Sequence, residues 1–290
     1  MSDLSESGER TSEPEPEPAT RFKYPPRSLG MAGRNALVAA IALSIVIPVY
    51  NEAESIPRLA EEVDRVFDEA DRAWECVWVD DASSDDTLRR LRELHARDPR
   101  HHQYMTLAQR CGQSGALMTG FRAARGEIIA TLDGDLQNDP ADLPALLGLL
   151  HRGQADMVTG VRATRRDGWG RRVSSRIANG FRNWITHDHI QDVGCSLRVF
   201  YHDCVDEVPA FSGMHRFLPT LVRMNGFSVL EVPVRHRPRV HGITKYGVNN
   251  RLWRGIADCL AVRWMHSRGI DARVAESSLD LPAEERSHAL

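Results

Sequence analysis

The sequence predicts an α/β protein: a doubly wound mixed sheet flanked by helices. Three observations carry this. Apolar strand-like runs alternate with helical patterns over the first half of the chain. The runs are continuous and β-branched rather than alternating, which marks strands covered on both faces. Three polar clusters, Tyr50-Asn51-Glu52, Asp80-Asp81 and Asp133-Gly134-Asp135, each stand where such a run ends. In a doubly wound sheet that is the edge where ligands bind.

The first strand is Leu43 to Tyr50, ended by the Pro48 region, and a helix follows from Ser55 to Ala70 with Ile56, Leu59, Val63, Val66 and Phe67 at helical spacing. A second strand, Glu75 to Val79, leads into Asp80-Asp81. Ser83, Ser84 and Asp85 then supply cap chemistry for a helix through Leu88, Leu91 and Leu94. A third strand covers Gln103 to Leu107, and Gly112 to Ala124 is a helix entered through a glycine-rich turn. A fourth strand, Ile128 to Leu132, precedes Asp133. Then come a helix over Asp142 to Arg152 and a strand over Asp156 to Val161. The second half is less regular: a basic helix over Gly168 to Trp184, a strand within Asp192 to Phe200, a helix over Phe217 to Met224, a strand over Ser228 to His236, a polar loop Arg237 to Tyr246 and a final helix over Leu252 to Trp264.

The organisation expected is an acidic, proline-rich disordered tail over 1–40, a catalytic domain over 41–247, an amphipathic helix over 248–269 and a disordered tail over 270–290. The repeat Glu13-Pro14-Glu15-Pro16-Glu17-Pro18 cannot bury a core. Composition is otherwise ordinary for a globular chain, at 42% hydrophobic and 27% charged. The net charge of -3 conceals a basic stretch from Arg162 to Arg182. Five cysteines form no CxxC pair and no zinc spacing, which fits a reducing compartment. No signal peptide or membrane span is expected: the apolar run Ala36 to Tyr50 falls short of the ~20 residues a spanning helix needs.

Asp133 and Asp135, one residue apart on an extended backbone, are expected to project the same way, and Gln137 continues the spacing. Two carboxylates and an amide oxygen are hard donors suited to Mg²⁺ or Mn²⁺ and a diphosphate rather than to zinc. The plainer alternative is an acidic turn capping the helix that begins near Pro140. Rival nucleotide folds fit less well. Gly112-Gln113-Ser114-Gly115 does not complete a GxGxxG, and no GxxxxGK[ST] occurs.

Ile47-Pro48-Val49-Tyr50-Asn51-Glu52, Val79 to Thr87, Leu132 to Pro140, Gly160-Val161-Arg162, His215-Arg216-Phe217 and Arg239 to Tyr246 resemble, in order and spacing, glycosyltransferase family 2 with its GT-A fold. More narrowly they resemble its polyprenyl-phosphate, dolichol-phosphate mannosyltransferase-like branch. The resemblance covers Leu43 to Trp264. It implies an inverting, metal-dependent transfer of a hexose from a nucleotide-sugar (GDP-mannose or a UDP-sugar) to a polyprenyl phosphate. A saccharide hydroxyl acceptor, or a non-catalytic nucleotide-sugar-binding module, is the alternative.

The resemblance implies that Pro48, Tyr50, Glu52, Val79 and Asp81 hold the nucleoside. Asp81 is chemically able to accept from a base N–H, and Glu52 from a ribose hydroxyl. The plainer roles are strand termination and packing for Pro48 and Tyr50, and a helix-capping carboxylate for Asp81. Asp133, Gly134, Asp135 and Gln137 would carry the metal and sugar diphosphate, with Asp135 catalytic. Arg162, Arg216, Arg239 and Lys245 would offset the diphosphate charge, and Arg235 and Arg237 would be neighbours without a direct role. Asp192 stands where relatives carry an acidic residue proposed as a base; it could instead position the acceptor or cap a strand.

Membrane contact is expected through two basic, aromatic segments. The first holds Arg165, Arg166, Arg171, Arg172 and Arg176 with Trp169, Ile177, Phe181 and Trp184; the second holds Leu252, Trp253, Ile256, Leu260 and Trp264 among Arg251, Arg254, Arg263 and Arg268. The implied location is the cytoplasmic membrane face, peripherally bound. A nucleic-acid partner is not expected.

Overall fold

The computed structural model describes residues 41–68, 73–162, 180, 182–186, 188, 190–238 and 249–268, all within the compact unit Leu37–Leu290. The two expected tails, most of the expected basic helix Gly168 to Trp184 and most of the polar loop Arg237 to Tyr246 lie outside the described residues. Seven strands form one sheet: β1 (Leu43–Val49), β2 (Trp74–Asp80), β3 (His102–Thr106), β4 (Ile128–Thr131), β5 (Met157–Arg162), β6 (Arg198–Tyr201) and β7 (Val229–Val234). Helices accompany them among the described residues: α1 (Ile56–Phe67), α2 (Thr87–Arg97), α3 (Gly112–Ala123), α4 (Leu143–His151), α5 (Leu218–Met224) and α6 (Asn249–Ser267). Observed ends lie within about three residues of those read from the sequence, as fraying termini allow, except at β6, which is confined to the last part of its apolar stretch.

The strand order is β3-β2-β1-β4-β6-β5-β7. β1 pairs in parallel with both β2 and β4, whereas β6 runs antiparallel between β4 and β5. The sheet is therefore mixed, as expected. The chain leaves β1 toward β2 and β3 and returns to β4 on its other side. This makes the β1/β4 boundary the switch point where a crevice opens at the strand ends.

Side-chain alternation sorts the core into two layers. From β1, Leu43, Ile45, Ile47 and Val49 join Trp74, Cys76 and Trp78 of β2 beneath α1, α2 and α4. Val46, Val77 and Val79 face the other way, against Ala116, Leu117 and Phe121 of α3, Leu218 and Leu221 of α5, and Cys259 and Val262 of α6. Pro48 sits in a central strand without breaking it. β4 pairs with β1 only from Leu43 to Val46, so the missing N–H of Pro48 falls beyond the ladder.

Candidate active site

The three polar clusters do meet at one edge, and backbone strain marks them. Among the described residues, the non-glycine residues with positive φ are Asn51 (54°), Ala82 (55°) and Leu136 (62°). One follows each of β1, β2 and β4. Left-handed backbone is unfavourable for residues with a Cβ and gathers at sites where surrounding structure overrides it. Here interlocking loops do so. Asn51 N–H donates to Ser83 Oγ (2.9 Å), Glu52 N–H to Thr87 Oγ1 (2.9 Å) and Ser84 N–H to Asn51 Oδ1 (2.8 Å). Buried Asp80 braces the same loop, accepting from Ser83 N–H (3.1 Å) and Thr106 Oγ1 (2.8 Å).

Asp81 serves as a helix-capping carboxylate. Its Oδ1 accepts from Cys111 N–H at 2.6 Å, and Gly112 N–H reaches both its oxygens at 3.0 and 2.9 Å. The carboxylate thus caps α3, where the helix dipole favours negative charge. Val79 is wholly buried in the core against α3 and paired on both sides within the sheet, to Pro48 and Met105. Tyr50 carries the Arg110 guanidinium 4.1 Å over its ring, and Arg110 Nε also lies 3.9 Å from Asp81. Arg110 belongs to no sequence motif. Glu52 accepts from Ser55 Oγ at 3.3 Å, at the start of α1.

The Asp133–Asp135 turn is not extended. β4 stops at Thr131 and Leu136 is left-handed, so the alternation expected to align Asp133, Asp135 and Gln137 does not hold. Asp133 is half-buried and Asp135 buried. Asp135 Oδ1 accepts from Gln137 N–H at 3.1 Å in a tight side-chain turn, while Gln137 C=O accepts from Arg237 N–H at 2.8 Å. Gly134 is required by space: a Cβ there would lie 2.6 Å from Val49 Cγ1. The turn is pressed onto the end of β1, and buried Leu136 pins it from below. Arg237 pairs with Asp139 (2.9 Å) and Glu62, and Arg235 with Asp142 (2.8 Å). Both arginines tie the loop after β7 to the segment that follows the turn.

Among the described residues no three His, Cys, Asp or Glu side chains gather into a metal cage. Two carboxylates on a rigid turn nevertheless fit Mg²⁺ or Mn²⁺, which commonly take one or two carboxylates and complete their shell with phosphate oxygens and water.

Beside Asp133 opens a cavity of about 190 Å³ lined by Gln113, Gly194, Ser196, Arg198, His215 and Arg216 among others. Gln113 donates to Asp133 Oδ1 at 2.8 Å. Arg198, on β6, is 2% exposed and donates to the carbonyls of His215 (3.0 Å) and Val193 (3.2 Å). Burial pushes its pKa down. It staples two walls of the cavity. His215 Nδ1 lies 2.8 Å from Ser114 Oγ. Burial, with Arg216 and Arg198 nearby, lowers its pKa to about 3, so the ring is neutral at physiological pH. No motif assigned a role to Gln113, Ser114, Arg198 or His215. The hint in the sequence is that His215 belongs to the matching stretch His215-Arg216-Phe217.

Arg162 and Asp192 are brought together, but with each other. Arg162 Nε and Nη2 reach Asp192 Oδ2 and Oδ1 at 2.7 Å each, and Gly194 N–H donates to Oδ1 at 3.1 Å. A carboxylate gripped in this bidentate way is ill placed to take a proton. Gly160 of the same strand allows this wall to close, since a Cβ there would meet Val234 at 2.6 Å and Cys195 Sγ at 2.9 Å. Arg216 is exposed at the cavity rim. Arg239 and Lys245 lie outside the described residues, as does most of the first basic segment, from Arg165 to Ile177.

α6 carries Trp253, Ala257, Leu260 and Trp264 along one exposed face, spaced as one helical stripe. Trp253 and Trp264 are 73% and 64% exposed, and Trp184 is 72% exposed. Arg263 Nη1 donates to Ile185 C=O at 2.8 Å, joining α6 to the segment that bears Trp184. Among the described residues no helix is long and apolar enough to cross a membrane.

Residues 44–217 match the family model described as glycosyl transferase family 2. The chain is 37% identical over 233 residues to dodecaprenyl-phosphate galacturonate synthase of Rhizobium johnstonii, a match covering 79% of this chain and 69% of that protein. It is 35% identical over 206 residues to undecaprenyl-phosphate 4-deoxy-4-formamido-L-arabinose transferase of Edwardsiella ictaluri, covering 71% of this chain and 63% of that one. Among solved structures, glucosyl-3-phosphoglycerate synthase of Mycobacterium tuberculosis, in complex with Mn²⁺, UDP and phosphoglyceric acid, superposes with a TM-score of 0.59 at 19% identity, covering 81% of this chain and 82% of that chain. The Pyrobaculum calidifontis mannosyltransferase PcManGT, in complex with GDP-Man and Mn²⁺, superposes at 0.52 and 21% identity, covering 79% and 65%. Both likenesses speak for the fold.

Proposed function

This chain belongs to glycosyl transferase family 2, and on that premise we propose that it transfers a sugar from a nucleotide-sugar to a polyprenyl phosphate at the membrane surface. The observation that carries the donor half is the rigid Asp133-Gly134-Asp135 turn at the β1/β4 crevice, with the cavity beside Asp133. A Mg²⁺ or Mn²⁺ ion held by Asp133 and Asp135, with Gln137 nearby, would supply Lewis-acid relief of the charge on a departing nucleoside diphosphate. Arg216 lends positive charge at the same rim. The nucleoside would lie along Tyr50 and Glu52 at the ends of the strands that carry Pro48 and Val79. Asp81 would contribute to it only with lone pairs not spent on capping α3.

The names of the curated relatives support the acceptor, since both are named for a polyprenyl phosphate. A phosphate monoester has a second pKa of about 6 and is already anionic at neutral pH. Its oxygen can attack the anomeric carbon as the bond to the diphosphate breaks, with inversion and no strong base. That agrees with an Asp192 committed to Arg162.

The stripe on α6 supports docking to a lipid surface, with indole rings at headgroup depth and arginines beside them. Trp253→Ser with Trp264→Ser is expected to weaken binding to phosphatidylglycerol-containing vesicles by at least about tenfold, given the apolar area lost. Co-sedimentation reads this, and unchanged binding removes the face from the proposal. The function itself is tested by offering UDP- and GDP-sugars with Mg²⁺ or Mn²⁺ and undecaprenyl or dolichyl phosphate, and reading the lipid by mass spectrometry. Glycosylated lipid is expected with at least one donor. Sugar transfer to a saccharide hydroxyl instead would overturn the acceptor, and no transfer from any donor would leave a binding module.

A further inference from the structure

We propose that His215, fixed by Ser114, is a specificity-determining hydrogen-bond donor to the transferred sugar. The assignment rests on the donor reading above and deepens it. It begins from the hydroxyl of Ser114 on α3, which accepts from Gly213 N–H at 3.0 Å and meets His215 Nδ1 at 2.8 Å. Ser114 is buried and its hydroxyl has, besides the Gly213 N–H donor, only His215 Nδ1 in reach among the described residues, so donating to Nδ1 is the arrangement that satisfies its proton, and it places the ring proton on Nε2. Burial and the adjacent guanidiniums keep the ring neutral. The product is a fixed N–H donor of defined direction rather than a titrating charge.

The surroundings hold that donor still. Arg198 grips the His215 carbonyl and is itself buried. Gly213 carries a φ of 102°, and a Cβ there would lie 2.8 Å from Asp258, so the turn that presents His215 depends on glycine. Ser114 lies 101 residues from His215, yet adjoins Gln113, whose side chain touches Asp133. The cavity lined by His215 opens at Asp133. A group joined to a diphosphate at the Asp133–Asp135 turn would enter it, and the chemistry suited to a neutral N–H is a hydroxyl, ring or carboxylate oxygen of a sugar. Sites that hydrogen-bond a substrate oxygen discriminate strongly against ligands lacking it.

The test compares bare and sugar-bearing nucleotides by calorimetry on the full chain with Mn²⁺: UDP, UDP-glucose and UDP-galacturonate, and GDP with GDP-mannose. His215→Phe keeps a ring of similar size without the donor. It is expected to lower affinity for the preferred nucleotide-sugar by about tenfold while leaving the bare nucleotide unchanged. His215→Gln, which can place an amide N–H near the Nε2 position, is expected to recover most of the difference, and Ser114→Ala to show a smaller loss. If wild type distinguishes sugar-bearing from bare nucleotide and His215→Phe does so equally, this assignment falls and the donor reading stands. Equal loss for both ligands makes His215 merely structural and also overturns it. A wild-type chain that binds no nucleotide overturns the donor reading and this assignment with it.

Discussion

Replacing Asp135 by alanine is expected to lower turnover by roughly 10²–10³-fold, the cost typical of removing one group that meets developing charge in a transition state. The residue is buried, and one oxygen is held by Gln137 N–H at 3.1 Å. Its position is therefore set before any ligand arrives. Alanine also strands that amide, a cost of about 1 kcal/mol in stability. Asp135→Asn keeps an oxygen acceptor for it and isolates the charge. Both variants are expected to fold, to lose single-turnover transfer, and to respond weakly to added Mn²⁺. Wild-type turnover in Asp135→Asn would remove the carboxylate from the chemistry. A loss confined to donor affinity would favour a binding module.

The second large effect is expected at Arg162 and Asp192. Their side chains are only 14% and 10% exposed, and they meet through two bonds of 2.7 Å. Removing one partner of a buried pair leaves the other charge uncompensated and costs about 3–5 kcal/mol. Arg162→Met is therefore expected to destabilise the fold strongly, read by denaturant unfolding. Arg162→Met with Asp192→Asn is expected to recover part of that loss, the signature of direct coupling. Asp192→Asn alone is expected to lose stability by the same rule but, where folded, to retain substantial transfer to a lipid phosphate, because the acceptor is anionic and the carboxylate serves to hold Arg162 and Gly194. Complete loss of transfer with fold and donor affinity intact would make Asp192 a base after all.

Much of the fold was legible because its signals are local. Continuous β-branched runs such as Leu43–Val49 and helical spacing such as Ile56, Leu59 and Val63 follow from backbone geometry. The residue types at the sheet edge were legible for the same reason. Less legible was how each polar group is used. Strand alternation does not extend to Asp133, Asp135 and Gln137, since the strand ends at Thr131 and the chain turns left-handed at Leu136. The family resemblance offers Arg162 as one of four cations for a diphosphate. In the fold its guanidinium meets Asp192, which lies 30 residues away.

The amino-acid sequence by itself determined the family, the strand–helix order and the chemistry gathered at the sheet edge, because these depend on periodicity and on motifs a few residues long. Tertiary structure alone decided that Asp81 caps α3, that Arg198 is buried between two cavity walls and that Ser114 orients His215. A buried polar group must find a partner. Which partner it finds depends on which distant segments the sheet order brings within about 3 Å.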